Sequence, residues 1–90
     1  SALKYKDIIE DYKHGLDAIM TMQPKTYKLK QGNSDLQVGL IADYLPEYLQ
    51  YKKNGEVENY ADRAIIATMI NAIKELKSEI DELKLKCGNN

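Results

Sequence analysis

The sequence predicts an α+β fold, in which a small, mostly helical globular part with a β-hairpin precedes one long C-terminal helix. Three observations indicate this. An apolar stripe at helical spacing fills the first twenty residues, two alternating segments flank a turn rich in Gly and Asn, and a heptad pattern occupies the last third. The chain therefore divides into a globular part, residues 1–60, and a coiled-coil helix, residues 61–87.

The N-terminal stripe predicts two short helices. Its apolar side chains recur at helical spacing until His14 and Gly15 interrupt them, so helices are expected over residues 4–13 and 16–22. Pro24 ends the second helix, because the residue before a proline is displaced from the helical region. The stripe consists of Tyr5, Ile8, Ile9, Tyr12, Leu16, Ile19 and Met20.

The middle of the chain predicts a hairpin and then a short helix. Residues 25–30 (KTYKLK) alternate apolar and basic side chains, and residues 36–42 (LQVGLIA) form the second strand after the turn QGNSD. The segment DYLPEYL predicts a helix over residues 43–49, with Asp43 as N-cap and Pro46 in the first turn. KKNGE then predicts a turn, and VENY a short extended piece.

From residue 61 onward, apolar side chains alternate at spacings of three and four, which assigns them to positions a and d of three heptads. Ile at a with Leu at d favours a parallel dimer, whereas Ile65 and Ile70 widen the apolar face and favour three strands. Glu79 at g and Lys84 at e have the offset of an interchain ion pair. The pattern predicts parallel self-association and leaves the number of strands open. The seam residues are Ile66, Met69, Ile73, Leu76, Ile80, Leu83 and Cys87.

The composition of the chain indicates which classes of partner to expect. With 13 basic and 14 acidic side chains the formal net charge is −1, so the chain lacks the basic surface that nucleic acid requires. One Cys and one His cannot fill a structural zinc site, and we expect no metal and no cofactor. No apolar run is long enough to span a bilayer, so no membrane association is expected. A chain of 90 residues with a thin core is expected to self-associate.

Four segments, in order along the chain, resemble one known family. SALKYKDII matches the pattern S-D-x-x-L-K-x-x-I at Ser1, Lys6 and Ile9, although Ala2 replaces the usual Asp. LDAIMTMQPKTYK and VGLIAD match its A-L-x-x-L-x-x-x-x-P-V-x-Y and I-G-F-I-A-Q segments, and VENYADRAI leads into the helix IKELKSEIDELK. The chain thus resembles the C-terminal intramolecular chaperone domain of phage tailspikes, tail fibres and neck appendages, a self-cleaving peptidase family of the endosialidase type.

The resemblance implies an assembly factor that acts once. Such a domain forms a homotrimer at the end of a fibrous or β-helical stalk of the same polypeptide, aligns the three chains and is cut off immediately before the serine. It implies Ser1 as the nucleophile and Lys6 as the base of a single-turnover Ser/Lys peptidase. Cleavage would take place in the host cytoplasm during virion assembly and would release the domain from the mature virion protein.

Helical geometry leaves three arrangements of this dyad open. Five residues of α-helix correspond to about 500°, so Ser1 and Lys6 would point roughly 140° apart, and Lys4 would lie closer to the serine. Either the first residues are not helical, or Lys6 reaches the serine of a neighbouring subunit, or Lys4 is the base. A lysine accepts a proton only in its neutral form, which desolvation or a nearby positive charge such as Lys4 favours.

An alternative from a different class is a non-catalytic oligomerisation module of a fibrous protein. In that interpretation Ser1 is an ordinary helix N-cap or a cloning remnant, and Lys6 is a solvated surface lysine. Both hypotheses predict oligomers, so only cleavage before Ser1 separates them.

Overall fold

The secondary-structure elements are mostly short, and each strand pairs with the strand next to it along the chain. The computed structural model describes residues 1–32 and 35–88. Within them lie a 3-10 turn at Leu3–Tyr5, helix α1 (Leu16–Ile19), strands β1 (Lys25–Tyr27) and β2 (Gln37–Gly39), two further 3-10 turns at Ala42–Tyr44 and Glu47–Leu49, strands β3 (Gln50–Lys53) and β4 (Glu56–Tyr60), and helix α2 (Asp62–Cys87).

The α+β class and the long C-terminal helix are confirmed, but the description of residues 1–60 as mostly helical is wrong. Four strands lie there, and α1 spans only four residues of the predicted helix over 16–22. The helix predicted over residues 4–13 is absent apart from the turn at Leu3–Tyr5. Ile8 and Ile9 are exposed there, so the stripe has no surface to pack against, and a short unsupported helix is marginal in water.

The predicted hairpin is confirmed with shorter strands. β1 and β2 pair antiparallel, with Lys25 opposite Gly39 and Tyr27 opposite Gln37. The predicted turn over residues 31–35 includes Asn33 and Ser34, which lie outside the described residues.

The helix predicted over residues 43–49 is wrong, because Pro46 divides it. Leu45, which precedes the proline, is extended (φ −94°, ψ 154°), as steric contact with the proline ring requires. Two separate 3-10 turns result, and Asp43 lies inside the first of them and not at a helix N-cap.

The turn predicted at KKNGE and the extended piece predicted at VENY are confirmed, but they belong to a second hairpin, of β3 and β4, whose first strand and pairing were not predicted. Asn54 (φ 53°) and Gly55 (φ 80°) form its two-residue connection, and two consecutive positive φ angles are the requirement of a type I′ turn. The pairing contains an irregularity between Tyr51 and Lys52. The dipeptide Asn-Gly was the signal for this hairpin.

The core is small and lies where α1 and the turn Glu47–Leu49 meet the first turns of α2. Ala18 and Leu49 are fully buried, and α2 contributes the buried Thr68 and Ala72. The partly buried residues packed around this core are Met22, Leu40, Tyr60, Ala64 and Ile65.

A second face of α2, formed by its a and d positions, is exposed in the described part of the chain. Between 43% and 66% of the surface of its a and d side chains is exposed from Ile66 to Leu83. None of the helices among residues 1–32 and 35–88 has the length and apolar character needed to cross a membrane.

We expect Leu49→Ala to lower the free energy of unfolding by about 2–5 kcal/mol, because it leaves a cavity in a core with few other large side chains. The unfolding midpoint should fall by about 10 °C or more in a thermal scan. Leu36→Ala is the matched control, since 63% of the surface of Leu36 is exposed. Equal midpoints for the two variants would contradict this description of the core.

Candidate functional site

Ser1 and Lys6 meet at the N-terminus because the chain there is not α-helical. The backbone N–H of Tyr5 donates to the carbonyl of Ala2 (3.1 Å) and that of Lys6 to Leu3 (3.0 Å), which closes a 3-10 turn. Lys6 then leaves the turn in an extended conformation (φ −112°, ψ 146°). Its Nζ donates a hydrogen bond to Ser1 Oγ within the same chain.

Lys4 takes a different direction. Its Nζ lies 5.1 Å from the centre of the Tyr5 ring, in a cation–π contact. The amine in contact with the serine is therefore that of Lys6. The first of the three arrangements left open by the sequence, a non-helical N-terminus, describes this chain, while the catalytic roles of Ser1 and Lys6 stay a prediction.

We call residues 1–9 the arm. All of them are exposed, and the apolar side chains among them are uncovered: 73% of the surface of Leu3, 74% of Tyr5 and 83% of Ile8 is accessible. Water therefore reaches the Ser1–Lys6 pair in a single chain.

The arm bends immediately after Lys6. Ile8 has a φ of 45°, in the left-handed region that a β-branched residue rarely adopts. The carboxylate of the preceding residue supports this bend, since Asp7 Oδ1 accepts a hydrogen bond from the backbone N–H of Ile8 (3.0 Å). Sequence reasoning missed the bend; the tendency of Asp to bind nearby backbone N–H groups was its only signal.

Beyond the arm, the chain is fixed to α2 by a set of hydrogen bonds that we call the clasp, formed by Tyr12, His14, Thr68 and Asn71. The Asn71 side-chain amide donates to the carbonyls of Tyr12 (2.8 Å) and His14 (2.9 Å). The Tyr12 hydroxyl lies 2.8 Å from Thr68 Oγ1, which itself donates to the Ala64 carbonyl (2.7 Å). The clasp thus sets where the arm leaves the globular part.

Gly15 allows the chain to approach α2 closely just after the clasp. A Cβ there would lie 3.2 Å from the backbone nitrogen of Ala72 and would overlap the Glu75 carboxylate. That carboxylate accepts a hydrogen bond from the backbone N–H of Leu16 (3.4 Å) at the start of α1.

The His14 side chain contacts Tyr48 and Asp17. Its ring is stacked on Tyr48, with 3.9 Å between centroids and 14° between planes, and its Nδ1 lies 2.9 Å from Asp17 Oδ2. The hydrogen bonds from His14 and from the Gly15 backbone hold the pKa of Asp17 below its ordinary value. Partial burial and the neighbouring charge of Asp17 raise the pKa of the Tyr48 phenol.

An open cleft of about 730 Å³ lies beside the clasp, between residues 10–13 and α2. Its walls carry both charge signs, with Glu10, Asp11 and Glu75 near Lys13 and Lys74. Neither member of the Ser1–Lys6 pair lines it. Among residues 1–32 and 35–88, no three His, Cys, Asp or Glu side chains are grouped as metal ligands.

Comparison with known families decides the class of the domain. A model of a peptidase family, described as the chaperone of endosialidase, matches residues 1–56. The chain belongs to this family. The resemblance inferred from the sequence segments is therefore confirmed, and the family description indicates a chaperone role associated with an upstream protein of the fibre type. No curated protein and no solved structure matched the chain.

In this chaperone domain, the matched residues include the arm, α1, the first hairpin and strand β3. Ser1 and Lys6 both fall within the match, whereas α2 and its exposed seam lie beyond it. The family assignment therefore bears on the N-terminal site, and any statement about the seam depends on the heptad pattern and the burial of α2.

We expect Asp17→Ala to destabilise the chaperone domain at neutral pH and to have a diminishing effect in acid. The pKa of Asp17 in the folded state lies below its ordinary value of 3.8. Asp17 therefore stabilises the fold at pH values above 3.8, and this contribution is lost as the pH falls through the folded-state pKa. Urea midpoints of both proteins, measured from about pH 7 to pH 2, should converge. An equal difference at every pH would contradict the expectation; Glu56→Ala, at an exposed strand position, is the control.

Proposed function

We propose that this domain is an intramolecular chaperone that trimerises through α2, aids the folding of an upstream phage fibre, tailspike or appendage protein, and then releases itself by cutting the peptide bond before Ser1. The contact between Lys6 Nζ and Ser1 Oγ, in a domain that belongs to this peptidase family, carries the proposal. On this proposal Ser1 becomes the N-terminal residue of the released domain, and cleavage takes place in the host cytoplasm during virion assembly.

The chemistry requires one nucleophile, one base and one water molecule. Neutral Lys6 Nζ takes the proton of the Ser1 hydroxyl as Oγ attacks the carbonyl carbon of the preceding residue. The C–N bond then breaks, and the departing Ser1 amine takes a proton from the Lys6 ammonium. Water hydrolyses the resulting ester, which leaves a carboxylate on the upstream protein and restores the Ser1 hydroxyl.

Proximity supplies much of the rate in such a reaction. The nucleophile is attached to the amide that it attacks, and well-oriented intramolecular reactions reach effective molarities of about 10⁵–10⁸ M. The exposure of the Ser1–Lys6 pair in a single chain is consistent with a site that is completed by assembly, since exclusion of water favours neutral lysine.

The two faces of α2 support self-association. The face with Thr68 and Ala72, at heptad positions c and g, is buried against the globular part. The face with positions a and d is exposed, and Ile70 at e, 52% exposed, widens it. A continuous exposed apolar stripe of this length is typical of a protein interface, and three copies of α2 around one axis would cover it.

A non-catalytic oligomerisation module is the second candidate. The exposed seam is compatible with it, because the seam needs no chemistry at the N-terminus. The two candidates differ in one observable, a cut immediately before Ser1.

We expect the full-length natural gene product to yield a fragment that starts at Ser1, measured as intact mass after expression. Ser1→Ala should leave one uncut polypeptide, because alanine offers no nucleophile, and Lys6→Ala should slow cleavage by at least about 10²-fold, the usual contribution of a general base. Lys4→Ala is the matched comparison, since its amine lies over Tyr5, and it should cleave much faster than Lys6→Ala because it removes a nearby charge and not the base. A wild-type product that is never cut would favour the non-catalytic module.

We expect Ile73→Asp to convert the assembly into monomers. In the assembly this substitution buries an unpaired carboxylate at the a position of every copy, at a cost of several kcal/mol per ion. In the monomer it should leave the fold intact, because 66% of the surface of Ile73 is exposed. Light scattering after size exclusion gives the mass, and Ser78→Asp, at the exposed f position, is the control. Unchanged mass for Ile73→Asp would remove α2 as the interface.

A further inference from the structure

The arm carries two conformational signals that oppose each other. Its apolar residues, among them Tyr5, Ile8 and Ile9, have the spacing of a helical stripe, whereas the backbone forms only one 3-10 turn and then bends at Ile8. In the observed bent form Lys6 Nζ contacts Ser1 Oγ, but in a continuous α-helix the two side chains would point about 140° apart. The contact thus depends on the arm not being helical.

The bend at Ile8 excludes the helix locally. A right-handed helix cannot contain a residue with a φ of 45°, and a β-branched side chain makes this conformation costly. Asn54 is the other non-glycine residue with positive φ in the described part of the chain, and its tight hairpin turn explains it. Ile8 lies in no hairpin.

Tertiary packing does not account for the bend, since 83% of the surface of Ile8 is exposed. The local interaction that opposes the strain is the hydrogen bond from the Ile8 N–H to Asp7 Oδ1. Short polar side chains that bind neighbouring N–H groups compete with helix formation in this way. Strained backbone that no packing explains is concentrated at functional sites.

We infer that Asp7 and Ile8 are positioning residues for the self-cleavage reaction, an inference that rests on the proposed function. The carboxylate of Asp7 and the left-handed backbone of Ile8 follow directly on the extended Lys6, prevent the 3-10 turn from continuing as a helix and so keep the Lys6 amine at the Ser1 hydroxyl. Neither residue touches the reacting atoms. The arm is competent for cleavage in its bent form and incompetent in a helical form.

The test uses substitutions at residue 8 that differ in the φ they permit. Gly and Asn both tolerate positive φ, so we expect Ile8→Asn to cleave at nearly the wild-type rate and Ile8→Gly to cleave equally fast or up to about tenfold faster. Pro fixes φ near −65°, so Ile8→Pro should cleave at least about tenfold more slowly. Rates are measured as the fraction of full-length gene product cut over time, together with the unfolding midpoint, which should not change.

A second pair separates hydrogen bonding from charge at residue 7. Asp7→Asn keeps an acceptor oxygen and should retain the wild-type rate, whereas Asp7→Ala removes it and should slow cleavage by about two- to fivefold. Ile9→Gly, at the exposed neighbouring position, is the control for general loosening of the arm and should have little effect.

The outcomes distinguish the two levels of the proposal. If the wild type is cut and Ser1→Ala is not, but Ile8→Pro cleaves like the wild type or Ile8→Gly is slowed, the positioning role is overturned while self-cleavage stands. Slow Ile8→Gly with slow Ile8→Pro would indicate that a helical arm is the reactive form. An uncut wild type overturns the proposed function and this inference together.

Discussion

The attachment of residues 12–16 to one face of α2 is the constraint on which the rest of the structure depends. Asn71 holds the carbonyls of Tyr12 and His14, and Gly15 allows the backbone to come close enough to α2 for α1 to begin against it. The small core forms beside this contact. Because the contact uses positions c, f and g of the heptads, it leaves the a and d side chains from Ile66 to Leu83 exposed in the single chain. The same contact directs the arm away from the globular part, where its side chains remain exposed.

The sequence predicted the parts of this fold whose signals are local and repeated. The heptads predicted α2, and the alternation around Tyr27 predicted the first hairpin, because in each segment the same spacing of apolar residues recurs. The helix over residues 4–13 failed since its stripe needs a partner surface, and within one chain α2 uses its available face for residues 12–18. The helix over residues 43–49 failed because the effect of Pro46 on Leu45 outweighed the tolerance of proline in a first helical turn. The second hairpin was signalled by Asn54-Gly55, a dipeptide whose turn type specifies the flanking strands.

The candidate site was predicted by residue type, on the strength of a family resemblance, and could not be predicted by geometry. Helical spacing argued against the pairing of Ser1 with Lys6, and that argument was sound for a helix. A non-helical arm removes the objection, and its bend is marked by a single hydrogen bond from the Ile8 N–H to Asp7 and by one unusual φ angle. Neither feature produces a periodic pattern in the sequence. The family resemblance therefore predicted Ser1 and Lys6, but not the conformation that brings them together.

The arm and α2 share one property, the exposure of apolar side chains. The arm and the seam of α2 both present large apolar side chains to water in a single chain, and the core that remains is small. Association of copies would add apolar burial to this core, so the unfolding midpoint should rise with protein concentration. If the arm is covered in the same step, the Ser1–Lys6 pair loses water only in the assembled state, and lysine is then favoured in its neutral, proton-accepting form. On the proposed function, the domain acts once, and cleavage before assembly would leave the upstream chains without it. On that proposal, exposure of the Ser1–Lys6 pair in the single chain is the physical feature that delays cleavage until the chains are aligned.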